Sequence, residues 1–287
     1  MDDQAAQARR ARQETARAAN RAAFARLVAQ PEAEIDLARG ALLIAADGRP
    51  DLDPMPSLDA LDELAERVRI RLDRGDPPGT VLGRLHDVLF GEARFRAPTT
   101  TEHHDAANSQ LDRVIARRIG LPISLAIVEL EVAWRIGLPL HGIGLPGHFI
   151  VGTPDGGLID PAGAGRQLTR DDCQVLLRRS LGEGILFNAG MLRRADRRAI
   201  LARVLRNLRG AHLGARDWWA ALGAVELLAV VEPTDASHQR DRGVLLGRMG
   251  RYSEAVAELR RYLEVDPGSS DVGEVGQVIE IFRGRRN

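Results

Sequence analysis

Three residues in the middle of the chain have the types needed for acyl-transfer chemistry. His148 and Asp160 lie either side of a turn in GHFIVGTPDGGLIDP, residues 147–161. That segment reads as a β-hairpin, because short β-type runs flank TPDGG, a strong turn signal. Side chains that share a face of paired strands can meet. The spacing therefore predicts that His148 and Asp160 hydrogen-bond, a base and the carboxylate that orients it. A nucleophile must come from elsewhere. Ser124 is the nearest hydroxyl at the start of a helix that Pro122 opens. Two readings of it stay open: a nucleophile that borrows His148 as general base, or a first-turn hydroxyl bonded to a free backbone N–H. Cys173 is the single cysteine, 13 residues past Asp160. Its neighbours Val175 and Leu176 mark it as a packing residue, although a reordered triad using it is compatible with the spacing.

Other chemistry has weaker support. EHHDAANS (102–109) offers Glu102, His103, His104 and Asp105, but adjacent histidines point apart in a strand and about 100° apart in a helix. Neither H-x-x-x-H nor C-x-x-C spacing occurs, even with His141 and His148 counted. There is no P-loop, and PAGAGRQ (161–167) reads as a flexible turn. The expectation is no cofactor and no metal. Basic and acidic residues number 40 each, which argues against nucleic acid or an anionic membrane as partner. The longest apolar run, ISLAIVELEVAWRIG (123–137), holds Glu129, Glu131 and Arg135 and is too short to span a bilayer. No apolar stretch follows Arg9 and Arg10, so a secretory signal is not expected. With one cysteine and no intrachain disulfide, a cytoplasmic protein is expected.

The elements that must position these groups follow from periodicity. Residues 1–23 have almost no apolar face and are expected to be a flexible tail. From 24 to about 119 the pattern is helical. PSLDALDELAERVRIRLDRG (56–75) predicts an amphipathic helix capped by Ser57 and stopped by Gly75. His86 falls in the next helix as a structural histidine. Ser109 and Asp112 predict a capping box for QLDRVIARRI, ended by Gly120. The helix from Pro122 to Ile136 is apolar on nearly every side and should be buried. A small antiparallel sheet follows, then a helix with Thr169 and Asp172 as a second capping box. Further on, Trp218, Ala221 and Pro233 recur as Tyr252, Ala255 and Pro267, each 34 residues later. With Gly243 and Gly250, these anchors fit a tetratricopeptide repeat, in which small residues let two helices cross closely and proline ends the second. The expected divisions are 24–195 for a core domain and 196–284 for the repeats.

NSQLDRVIARRIGLPISLAIVELEVAWRIGLPLHGIGLPGHFIVG, then LIDP, LTRDDC and the repeats, resembles the SirB-type branch of the transglutaminase-like superfamily. The resemblance implies an α+β, mostly helical chain: a transglutaminase-like (papain-like) core with a small antiparallel sheet, followed by tetratricopeptide-type helices. His148 and Asp160 match that family's histidine and aspartate. Its nucleophilic cysteine has no counterpart, since Pro122 falls at that position. The resemblance thus implies a catalytically silent core with a regulatory or protein-interaction role, the repeats holding a protein or peptide partner. The alternative is an acyl-transfer enzyme, an amide or peptide hydrolase, using Ser124, His148 and Asp160. Oligomeric state is not legible.

Overall fold

The computed structural model describes residues 2–285, with side chains from residue 11 onward, so the Arg9 and Arg10 side chains lie outside the described residues. The helices are α1 (Asp2–Val28), α2 (Leu37–Asp47), α3 (Met55–Arg69), α4 (Pro78–His86), α5 (Leu111–Arg117), α6 (Pro122–Arg135), α7 (Arg170–Leu181), α8 (Arg197–Gly214), α9 (Trp218–Val231), α10 (Ser237–Arg248), α11 (Tyr252–Val265) and α12 (Val272–Gly284). The strands are β1 (His141–Ile143), β2 (Ile150–Gly152), β3 (Leu158–Asp160), β4 (Arg166–Leu168) and β5 (Arg194–Ala195). Two compact units result, one of residues 30–46 and 51–204, the other of residues 1–29, 47–50 and 205–287.

The first unit is built on α6. Pro122 sits at its first turn, where a missing N–H costs nothing. Every residue from Ile123 to Ala133 is buried, and full burial of each Leu, Ile or Val there contributes about 1.5–3 kcal/mol. Trp134 is half-buried, and its indole N–H donates to the Leu140 carbonyl at 2.9 Å. Gly137 ends the helix with φ of +80°. The chain then enters an antiparallel sheet in the order β4-β3-β2-β1-β5. β1 to β3 occupy the runs that alternate with the turns. β4 and β5 carry few apolar residues, so they were not legible as strands.

Local sequence signals were overridden at four places, the first being that α3 ends at Arg69, six residues before Gly75. Ser57 is buried inside α3 rather than capping it, because Pro54 and Pro56 start that helix earlier. Ser109 closes a short 3-10 turn, Ala106–Ser109, and Gln110 precedes α5. That helix stops at Arg117, with Arg118 left-handed (φ +59°), two residues before Gly120. The Thr169–Asp172 capping box forms as expected.

In the second unit, α9 and α11 both run 14 residues, and their starts lie 34 residues apart, as Trp218 and Tyr252 require. Ala221 and Ala255 are fully buried. A Cβ on Gly243 would come within 2.7 Å of Leu259, and one on Gly247 within 2.0 Å of the Phe282 ring. Small residues therefore set the helix crossings. Residues 2–23, read from the sequence as a flexible tail, are helical in the structure. They form part of α1, whose Arg17 and Arg21 converge on the buried Asp47, and Arg21 also reaches Glu226. A Cβ on Gly223 would sit 2.3 Å from Asp47 Oδ2, so glycine makes room for this cluster.

Candidate functional site

The hairpin brings His148 and Asp160 together. Val151 pairs with Ile159 and Gly152 with Leu158. Continued by one residue, that register sets Asp160 opposite Ile150. His148 lies two residues before Ile150 and so belongs to the same face. His148 Nε2 and Asp160 Oδ1 are 2.9 Å apart. Both side chains are largely buried, at 13% and 8% exposure. The Ala162 backbone N–H donates to the same Asp160 oxygen at 3.0 Å, so the carboxylate is fixed by the 3-10 turn Pro161–Gly163 that it caps. With Nε2 engaged, Nδ1 is the nitrogen left to serve a reacting group.

Ser124 does not complete a triad. It is 1% exposed, and its hydroxyl has no hydrogen-bond partner, neither His148 nor a backbone N–H. Neither hydrogen bond considered for its side chain is thus present. A buried unpaired hydroxyl costs about 1–3 kcal/mol. Cys173 is fully buried among Ile143, Leu145, Ile150, Leu168 and Leu177. Burial pushes its thiol up, and the charges of Asp172 and Asp160 push it further. A reactive cysteine needs the opposite shift.

A second histidine–carboxylate pair joins α4 to the buried helix α6. His86 Nε2 and Glu129 Oε1 are 2.9 Å apart, with Glu129 wholly buried. The other oxygen, Oε2, has no partner. On the far side of the ring, a Cβ on Gly165 would come within 2.6 Å of His86 Nδ1. Gly165 has φ of +77°, so both the conformation and the close approach require glycine. The loop that follows Asp160 thus seats against His86. Glu131, the other acid of α6, is satisfied differently. It accepts the Ala38 N–H at 2.8 Å and pairs with Arg135. Burial nonetheless pushes its carboxyl up, outweighing Arg135. Sequence reasoning found His86 as structural but missed Glu129, since a glutamate inside an apolar run gives no sign of its partner.

The residues 102–105 do not converge. Glu102 pairs with Arg96, Asp105 with Arg117, and His103 and His104 stack edge to face at 5.7 Å. Among the described residues the one convergence of three ligand-type side chains lies in the repeat unit. None of the helices among those residues is long and apolar enough to cross a membrane.

A buried helix packed on an antiparallel sheet that carries a His–Asp pair, followed in the chain by paired helical repeats, defines a class. Residues 56–206 match the transglutaminase-like superfamily and residues 208–280 the tetratricopeptide repeat. The chain belongs to the transglutaminase-like superfamily, in the group of UPF0162 proteins that resemble SirB. It is 33% identical over 252 residues to the UPF0162 protein of Xylella fastidiosa strain 9a5c, covering 85% of this chain and 89% of that one. The UPF0162 protein of Pseudomonas aeruginosa is 32% identical over 247 residues, covering 84% and 88%. F-box only protein 21 of Pongo abelii is 24% identical over 217 residues, which is 70% of this chain but a third of that protein.

Proposed function

We propose that this chain is a protein-binding scaffold, with a transglutaminase-like core that forms no acyl-enzyme and a repeat region that holds a protein or peptide partner. The observation that carries the reading is Ser124: its hydroxyl is buried and meets no base. Cys173 supports the same reading, because its thiol is packed in the core and pushed up. Without an activated nucleophile, His148 and Asp160 are a retained structural pair that locks the hairpin to the turn after it. Tetratricopeptide repeats generally mediate protein–protein interaction, and that supplies the positive half of the proposal. A cytoplasmic, regulatory role fits both halves.

The second reading, an amide or peptide hydrolase, is favoured by one feature, the 2.9 Å His148–Asp160 contact with Nδ1 left for a substrate or nucleophile. Binding of a peptide selected from a displayed library, followed by NMR on the full chain, separates the two. Shifts confined to α9–α12, with the peptide recovered intact, are expected. Shifts centred on His148 together with peptide cleavage would overturn the scaffold reading.

A further inference from the structure

Glu232, Asp235 and His238 follow one another at E-x-x-D-x-x-H spacing across the turn between α9 and α10. Glu232 caps the C-terminus of α9, and His238 is the second residue of α10. The ligand atoms of all three lie within 4.8 Å of one another. His238 Nε2 is 3.1 Å from Glu232 Oε2 and 3.7 Å from Asp235 Oδ2. His238 is 3% exposed, and its Nδ1 has no partner. Its ring therefore makes no hydrogen bond outside this cluster, and its Nε2 lies close to two carboxylates.

We propose that these three side chains form a binding site for a divalent transition-metal ion of the Zn2+ type. Two carboxylates compete there for a single imidazole nitrogen, which carries at most one proton. A dication satisfies both and the ring at once. The spacing suits it. Zinc–nitrogen and zinc–oxygen bonds of about 2.1 Å in tetrahedral array give ligand-to-ligand edges of about 3.4 Å. The two distances to Nε2, 3.1 and 3.7 Å, bracket that edge. One imidazole and two carboxylates form a mixed nitrogen–oxygen set with a fourth position open to water. The turn is not a generic part of the repeat. Thirty-four residues later the same positions are Asp266, Ser269 and Val272, which offer neither histidine nor a second acid.

Two features hold the affinity down. Ligation through Nε2 places the ring proton on Nδ1, which has no acceptor, and an unseated ligand ring weakens a metal site about 10–100-fold. Arg206 also lies on both Glu232 oxygens, at 2.5 and 2.6 Å, and competes with the metal for that carboxylate.

The test is calorimetric titration of the chelator-stripped full chain with Zn2+, in parallel with thermal unfolding. Saturable 1:1 uptake and a rise in Tm are expected. Asp235→Asn keeps the cap that Asp235 gives the Ser237 N–H but removes a charged ligand, so Kd should rise at least ~10-fold. Arg206→Gln removes the competing cation and should lower Kd. His238→Gln, checked for folding by circular dichroism, should abolish saturable uptake. No saturable uptake, or the same Kd in Asp235→Asn as in the natural sequence, would overturn the site.

Discussion

His148 and Asp160 meet because a two-residue periodicity and a defined register put them on one face, and Asp160 is then clamped from two sides by His148 and the Ala162 N–H. Ser124 is the contrasting case. Its hydroxyl pays for burial without a bond, so Ser124→Ala should leave the fold intact and raise stability by up to about 1 kcal/mol, read as an increase in the urea midpoint. A loss of stability would show that the hydroxyl has a partner in solution. The pairing of His148 with Asp160 was legible in the sequence, since strand period and turn chemistry are local. The isolation of Ser124 was not, because the helix start at Pro122 fixes where its Cα lies but not what surrounds its side chain. Glu129 was illegible for the same reason. Its partner His86 is 43 residues away, and nothing in the local pattern links them.

At the scale of elements, α1 is held at its C-terminal end by the buried Phe24 and Val28, and ahead of them by charge. Burial pushes the Asp47 carboxyl up, but hydrogen bonds and charges from Arg21 and Arg17 outweigh it and hold the group below its ordinary 3.8. A carboxyl whose folded pKa lies below its unfolded one stabilises the fold above the unfolded value, and that stabilisation is lost as pH falls. The anchoring of α1 should therefore be complete at neutral pH and fade below about pH 4. Asp47→Asn should cost about 2–4 kcal/mol at pH 7 and flatten the acid limb of the stability curve, measured by urea unfolding between pH 3 and 7. An unchanged acid limb would contradict the anchor. The repeat helices are held by small residues instead. Ala255→Leu should overpack the crossing and cost about 1–3 kcal/mol, with thermal unfolding as the readout and an unchanged Tm as the contrary result. The 34-residue period made that crossing readable from sequence. The contacts of Arg21 were not legible in the sequence, because Asp47 and Glu226 lie 26 and 205 residues from it, and an Arg-rich stretch without an apolar stripe gives no sign of such partners.

At the scale of the whole molecule, one chain combines a transglutaminase-like core, which we propose to be catalytically silent, with tetratricopeptide repeats. The fold class was legible because its main signals are periodic: a helix apolar on all sides, hairpin turns, and a 34-residue recurrence. What the core does was less legible, since catalysis depends on the placement of one hydroxyl or thiol relative to one imidazole. The most direct test of that placement is intact-mass measurement of the full chain after exposure to a fluorophosphonate, alongside Ser124→Ala and His148→Ala. With Ser124 buried and unpaired, no adduct is expected on the natural sequence. A single phosphonyl adduct mapped to Ser124, absent in Ser124→Ala and lost in His148→Ala, would contradict the scaffold reading and establish a serine nucleophile served by the His148–Asp160 pair.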